Sequence, residues 1–235
     1  MSTTISKTPD LSLRDIRQRD LVPPAKLSAC HPLVIGVGAV GRQLALQLAS
    51  TGVTRMTLVD DDHVAVENLA PQGYTPSDLG RHKVDATAAW CREIHPELVM
   101  ETYAERFRRS STRDLSCFGR QSHRLAVFCC VDTIECRRIV WESVRSQASF
   151  FADARMAAEV VRVLASDRPA LDDYYRTTLF ENRHAYAGSC TAKSTIYSAS
   201  IAAGLMMAQF TRWLRGLLLD RDLLLNLLAG ELTAA

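Results

Sequence analysis

The run His31-Pro32-Leu33-Val34-Ile35-Gly36-Val37-Gly38-Ala39-Val40-Gly41 decides the fold. Leu33 to Ile35 is a short apolar stretch stopped by glycine, the pattern of a buried parallel strand. Gly41 to Thr51 carries Leu44, Leu46, Leu48 and Ala49 and closes at Gly52, which predicts a helix with a glycine stop. Between strand and helix the three glycines have separate tasks. Gly36 permits the tight turn, Gly38 lets a ligand phosphate or ribose approach the backbone, and Gly41 lets the helix pack close to the sheet. Amides at the helix start then face an anion. The next strand, Met56 to Val59, ends in Asp60-Asp61-Asp62. Asp60 falls about 20 residues past the last glycine, suited to hydrogen-bond a ribose hydroxyl. Together these features predict a nucleotide site and leave NAD and ATP both open.

Working outward, Asp78 to His95 reads as a helix capped by Ser77 or Asp78, and Leu98 to Tyr103 as a strand. Leu125 to Val131 is the most hydrophobic strand, ended by Asp132. Ile134 to Ala148 is helical and Phe150 to Ala152 a short strand. This alternation predicts an α/β, Rossmann-like, doubly wound and mostly parallel sheet. Upstream, residues 13–21 read as a short charged helix ended by Pro23-Pro24. Downstream, Val160 to Val163 favours strand, and residues 168–190 form a long polar loop region. Ser194 to Leu219 and Asp222 to Leu232 read as two C-terminal helices, with leucines 217–219 and 223–228 as a packing or dimer face. Residues 1–12, rich in Ser and Thr, are expected to be flexible. Residues 13–235 are expected to form one domain, with a nucleotide core at about 30–155 and substrate and dimer elements at 156–235.

Composition excludes several classes. Of 235 residues 47% are apolar and 23% charged, which supports a sizeable core and argues against a disordered chain. Lys plus Arg is 28 against 26 Asp plus Glu, so the +2 net charge gives no reason to expect nucleic acid or an acidic membrane surface. Seven cysteines without a CxxC pair make a disulfide framework or a four-cysteine zinc site an unsuitable reading. The polar start, Met1 to Asp10, lacks an apolar signal core, and the expectation is a cytoplasmic protein with no membrane span.

After Asp60 the chain reads Asp61-Asp62-His63-Val64-Ala65-Val66-Glu67-Asn68-Leu69-Ala70-Pro71-Gln72, then Gly80-Arg81-His82-Lys83-Val84. Here it resembles the ThiF/MoeB and ubiquitin-activating enzyme family. That family shows an Asp-x-Asp-x-Val run, then Asn-Leu-x-Arg-Gln, then Gly-x-x-Lys-Val. Asp132 at its strand end, Arg137 and Arg138 in the following helix, and Arg17-Gln18 near the start extend the likeness. It spans about residues 14–155 and continues more weakly to about 215.

The resemblance implies ATP in this site, on Gly36, Gly38 and Gly41, with Asp60 on the ribose and Asn68, Gln72 and Lys83 on phosphates. A mobile point charge such as Lys83 suits that task. It implies magnesium on Asp132, a carboxylate fit for a hard cation. It also implies that Arg17 reaches the γ-phosphate of a partner subunit's ATP, hence a homodimer with composite sites. Two departures stand out. Pro71 occupies the place of the family's arginine, which removes a charge and several donors; Arg17, Arg19 and Arg81 are the candidates to substitute. The zinc cysteines of many bacterial members are also missing.

Cys190, in Gly188-Ser189-Cys190-Thr191 before the long helix, stands where ubiquitin-activating members carry a catalytic Cys-Thr pair. A cysteine at a helix N-terminus is activated toward thiolate and could take an acyl group as a thioester. It could equally be a small buried residue. Cys30, Cys91, Cys117 and Cys136 show no reactive context, and Cys129 and Cys130 read as strand core. Asp153 and Arg155, after a strand end, either orient an incoming peptide tail or pair with each other.

The expected function is ATP-dependent adenylylation of the C-terminal glycine carboxylate of a small ubiquitin-like β-grasp protein, with Lys83, Asp132, Arg17 and Cys190 carrying the chemistry. Two alternatives remain: a weakened, binding-only relative, suggested by Pro71, and an NAD-dependent oxidoreductase on the same glycine motif.

Overall fold

A computed structural model describes residues 13–119, 123–180 and 194–235. In chain order its elements are α1 (Pro24–Ser28), β1 (Cys30–Ile35), α2 (Ala39–Thr51), β2 (Arg55–Val59), α3 (Leu69–Gln72), α4 (Lys83–Ile94), β3 (Val99–Tyr103) and α5 (Ser111–Asp114). There follow β4 (Arg124–Cys129), α6 (Ile134–Val144), β5 (Phe150–Ala157), β6 (Val160–Ser166), α7 (Tyr174–Thr177), α8 (Ile196–Arg215), β7 (Asp222–Asn226) and β8 (Glu231–Ala234). Among the described residues one sheet holds all eight strands, in the order β3-β2-β1-β4-β5-β6-β7-β8. The first five run parallel and the last three join antiparallel.

The chain leaves β1 in one direction to β2 and in the other to β4, so the strand order reverses there. A crevice opens at the carboxyl ends of strands at such a point. Register aligns those ends: Ile35 pairs with Val59 and Cys129, Val59 with Tyr103, and Cys129 with Asp153. The residues just past them share one rim.

Both sheet faces are covered, as parallel strands require. Alternation along β4 sends Phe128 toward a core with Leu44, Leu48, Phe150 and Phe210, under α2 and α8. It sends Val127 and Cys129 to the other face, with Leu33, Ile35, Phe151 and Trp141. Trp141 packs edge-on to Phe151 at 4.9 Å between ring centres and against Tyr175 at 4.5 Å.

Several expected boundaries move. Residues 222–232 form the β7–β8 hairpin, so α8 is the single long helix of the C-terminal region. An unbroken leucine run has no period to separate helix from strand. The environment alternates along β7, with Leu223 buried and Leu224 exposed, and Arg162 on β6 ties the strand through Asp222. Residues 13–20 form turns, and Pro24 opens α1 at a position where a missing N–H costs nothing. α4 begins at Lys83, well after Asp78. Gly80 is left-handed at φ +78 and breaks the helix there. Residues 62–64 instead pair with 81–83 through Val64 N–H to Arg81 O and Lys83 N–H to Asp62 O. That pairing sets Lys83 at the head of its helix beside Asp62.

Candidate active site

The rim holds a cleft of about 920 Å³ lined by Gly36, Gly38, Asp60, Asn68, Gln72, Lys83 and Asp132. Five separate stretches of sequence supply these residues. Gly36 has φ +88, and a Cβ there would stand 2.7 Å from the Cys130 carbonyl oxygen, so the turn wedges against the end of β4. At Gly41 a Cβ would fall 1.8 Å from the Gly36 carbonyl oxygen. Gly41 therefore lies beneath the site as the contact between α2 and the loop. Gly38 differs: a Cβ there would meet only the Gln72 amide, at 4.0 Å, and otherwise open cleft. Gly38 is also the N-cap of α2, and no side chain caps it. The first-turn amides are left for an anion.

Asp60 is held by two backbone amides. Its Oδ2 accepts from Val37 N–H at 2.6 Å and its Oδ1 from Asp62 N–H at 2.9 Å. Burial nonetheless raises its pKa, against the lowering effect of those bonds and of Lys83. Lys83 is buried along its stem and its ammonium reaches Asp62 Oδ2 at 2.8 Å. The Asn68 Oδ1 accepts from Ala65 N–H at 3.0 Å, leaving its amide NH2 for other partners. Gln72 Oε1 is buried and has no partner. An orphaned amide beside the open face of Gly38 fits a polar ligand, because an unpaired buried acceptor costs about 1–3 kcal/mol. Asp132 is exposed at the end of the β4 strand. An exposed carboxylate facing a phosphate-sized space is the donor type that a magnesium ion requires.

A buried ionic network lies under one wall. Asp153 is fully buried and receives Arg137 Nε at 2.9 Å, Arg155 Nε at 2.8 Å and the Tyr175 hydroxyl at 3.0 Å. Arg137 also donates to Ala154 O, and Arg155 to Thr178. Burial would lower the Arg137 pKa, and the neighbouring Asp153 carboxylate more than reverses that. This settles the choice at Asp153 and Arg155: they pair with each other, and neither is free to orient a peptide tail. Arg137 lines the cleft from this network.

Arg17 does not enter the cleft. It is exposed on the 13–22 segment, which is fastened to the far end of α2 by Arg14 to Ala49 O and Gln18 to Thr51 O. Of the proposed substitutes for the missing arginine, Arg19 is exposed on that same segment and Arg81 is bound to Asp78 at 3.0 Å. Cys190 lies outside the described residues; Ser194, where the description resumes, lines the cleft. Burial pushes the Cys30 and Cys91 thiols up to about 11 and about 12, in keeping with inert core cysteines. Sequence reading missed Arg106, which lines the cleft, and its contact with Cys136.

The sequence profile of the ThiF family matches residues 10–228. The chain belongs to the ThiF family. Among curated ThiF-type relatives, the adenylyltransferase and sulfurtransferase MOCS3-1 of Zea mays is 40% identical over 79 residues, covering 33% of this chain and 17% of that one. Ubiquitin-like modifier-activating enzyme 5 of Arabidopsis thaliana is 27% identical over 139 residues, covering 54% of this chain and 32% of that one. The matched regions thus span no more than about a third of these relatives' length. In solved structures the fold recurs in PaaA, with a TM-score of 0.76 at 18% identity over 100% of this chain and 85% of that one. It recurs also in E. coli MccB, with a TM-score of 0.77 at 13% identity over 97% of this chain and 70% of that one. Among the described residues no helix is long and apolar enough to cross a membrane.

Proposed function

We propose that this ThiF-family chain adenylates the C-terminal glycine carboxylate of a small ubiquitin-like, β-grasp protein, using ATP. The observation that carries the reading is the convergence of Gly38, Asp60, Asn68, Gln72, Lys83 and Asp132 on one cleft. In an NAD-dependent oxidoreductase Asn68, Gln72 and Lys83 would have no task. Curated relatives named as adenylyltransferases and modifier-activating enzymes support the reading, as does an E. coli MccB structure solved with ATP.

In the reaction a carboxylate oxygen attacks the α-phosphorus, a new O–P bond forms, and pyrophosphate leaves with the electrons of the broken P–O bond. The protein's share is orientation and charge neutralisation. The α2 amides and Gly38 hold the phosphates against the loop. Asp60 positions the ribose. Lys83, close to Asp62, supplies a positive charge, Asn68 offers its free amide NH2, and Gln72 serves a phosphate once its amide turns its nitrogen, in place of Oε1, toward the cleft. Magnesium held by Asp132 would neutralise phosphate charge when bound.

Arg17 supports a homodimer with composite sites. Its segment is fastened at the end of α2 opposite Gly38, about 20 Å away along a 13-residue helix. It has no described partner and cannot serve its own cleft, whereas a second copy could present it. Cys190 is proposed as the acceptor in a second step. Its sulfur would attack the acyl carbon, and AMP would leave with the electrons of the broken C–O bond. The six described cysteines are all free thiols, which fits a cytoplasmic location.

Mass spectrometry of a glycine-ended β-grasp protein incubated with ATP and this chain tests the first step. Formation of an AMP adduct at the terminal carboxylate, lost in Lys83→Ala, is expected. An adduct that forms equally well with Lys83→Ala would overturn the assigned site.

A further inference from the structure

Among the described residues three cations line the cleft: Lys83, Arg106 and Arg137. Two are already committed, Lys83 to Asp62 at 2.8 Å and Arg137 to the buried Asp153 at 2.9 Å. Arg106 is exposed; among the described residues no carboxylate forms an ion pair with it, and Asp61 and Asp132 lie near enough to favour its charge. Its Nη2 donates to the Cys136 sulfur at 3.3 Å. A thiol is a weak acceptor, so little is lost when the guanidinium leaves it.

Topology places this contact over the nucleotide elements. Arg106 follows β3, and Cys136 lies in the first turn of α6, after β4. In the sheet the ends of β2 and β1, with Asp60 and Gly36, lie between those two strands. The guanidinium therefore reaches across the strand ends where the glycine loop stands. Phe107, buried among Leu33, Ile35 and Val127, anchors the loop behind it. The cleft also carries the carboxylates of Asp60, Asp61, Asp62, Glu105 and Asp132. Carboxylates outnumber cations, so a polyphosphate entering this cleft gains from a positive charge besides Lys83, and among the described residues Arg106 is the lining cation without a carboxylate in ion-pair contact. Its planar fork can grip two phosphate oxygens at once. Position 71, where the family pattern has an arginine, supplies none here because it is proline.

We propose that Arg106 is the polyphosphate-binding arginine of this cleft, resting on the Cys136 thiol until a nucleoside triphosphate draws it away. The proposal rests on the nucleotide reading of the cleft. It assigns to a loop after β3 the charge that Pro71 lacks.

Calorimetric titration of the full chain with ATP and with AMP tests it, using wild type, Arg106→Ala, Arg106→Lys and Cys136→Ala. Arg106→Ala is expected to weaken ATP at least about tenfold and AMP less than about threefold, since a charge-assisted contact to phosphate is lost. Arg106→Lys should recover part of the loss. Cys136→Ala breaks the same contact but keeps the cation, so its ATP affinity should stay within about threefold of wild type. Equal losses in Cys136→Ala and Arg106→Ala would overturn the proposal, because the contact would then be a structural tie. So would ATP affinity unchanged in Arg106→Ala while wild type binds. Wild type that binds no ATP would instead remove the nucleotide reading itself.

Discussion

Two alanine substitutions three residues apart should have opposite effects. At Gly41 the new methyl would fall 1.8 Å from the Gly36 carbonyl oxygen, whereas ordinary contact begins at 3.4 Å. The loop or the helix must therefore yield by 1.6 Å, the difference of those values. Gly36 has little room to yield, because even a Cβ at that position would stand 2.7 Å from the Cys130 carbonyl oxygen. Overpacking of this kind costs about 3 kcal/mol or more, less about 1 kcal/mol for better helix propensity. For a chain of this size, a net cost of about 2–3 kcal/mol lowers Tm by about 4–12 °C. At Gly38 φ is −80 and the methyl meets only the Gln72 amide at 4.0 Å. Stability should fall by less than it does for Gly41→Ala. The methyl instead occupies the space a phosphate would take, and ATP affinity should fall about tenfold or more as amide contacts to a charged group are lost. Thermal melting with and without saturating ATP reads both effects, since a ligand raises Tm only if it binds. Gly41→Ala melting like wild type, or Gly38→Ala keeping the full ATP-induced shift, would refute the reasoning.

Asp153→Asn leaves Arg137 and Arg155 buried without their counter-charge and should cost about 3–5 kcal/mol, read as a lower urea midpoint. Arg162 and Tyr174 hold the Asp222 carboxyl below its ordinary value, and Arg162 is the larger cause. The stability from that pairing is complete above the unfolded carboxyl value, about 4, and is lost as pH falls through the lower folded value. The advantage of wild type over Asp222→Asn in denaturant midpoint should therefore shrink below about pH 4; a gap constant from pH 7 to 2 would contradict it. If sites are composite, mixing inactive Arg17→Ala with inactive Asp132→Ala and allowing exchange should restore about a quarter of wild-type activity. In a mixed dimer one site carries neither change. No recovery in verified mixed dimers would refute the trans role of Arg17.

Much of this molecule was legible because its decisive features are local. The strand–glycine–helix unit and Asp60 fall within 31–60, and each residue signals its own backbone or charge requirement. The spacing from Asn68 to Lys83 was equally readable through the family pattern. What escaped reading depends on distant partners. Arg106 meets Cys136 30 positions away, and Arg137 meets Asp153 16 positions away. Nothing near either arginine in sequence marks it as free or committed. The β7–β8 hairpin escaped because leucines 223–225 and 227–228 carry no alternation in the sequence itself. Only pairing with β6 distinguishes the two faces of that strand. The start of α4 was displaced because Ser77 and Asp78 have the character of a helix cap, whereas the left-handed Gly80 breaks the chain before the helix begins.

ATP–pyrophosphate exchange, measured against a panel of β-grasp proteins ending in glycine, tests the central claim most directly. Exchange is expected to require the free terminal carboxylate of the β-grasp protein and to be abolished in Asp132→Ala. Exchange that survives Asp132→Ala, or that proceeds with the terminal carboxylate blocked, would contradict it.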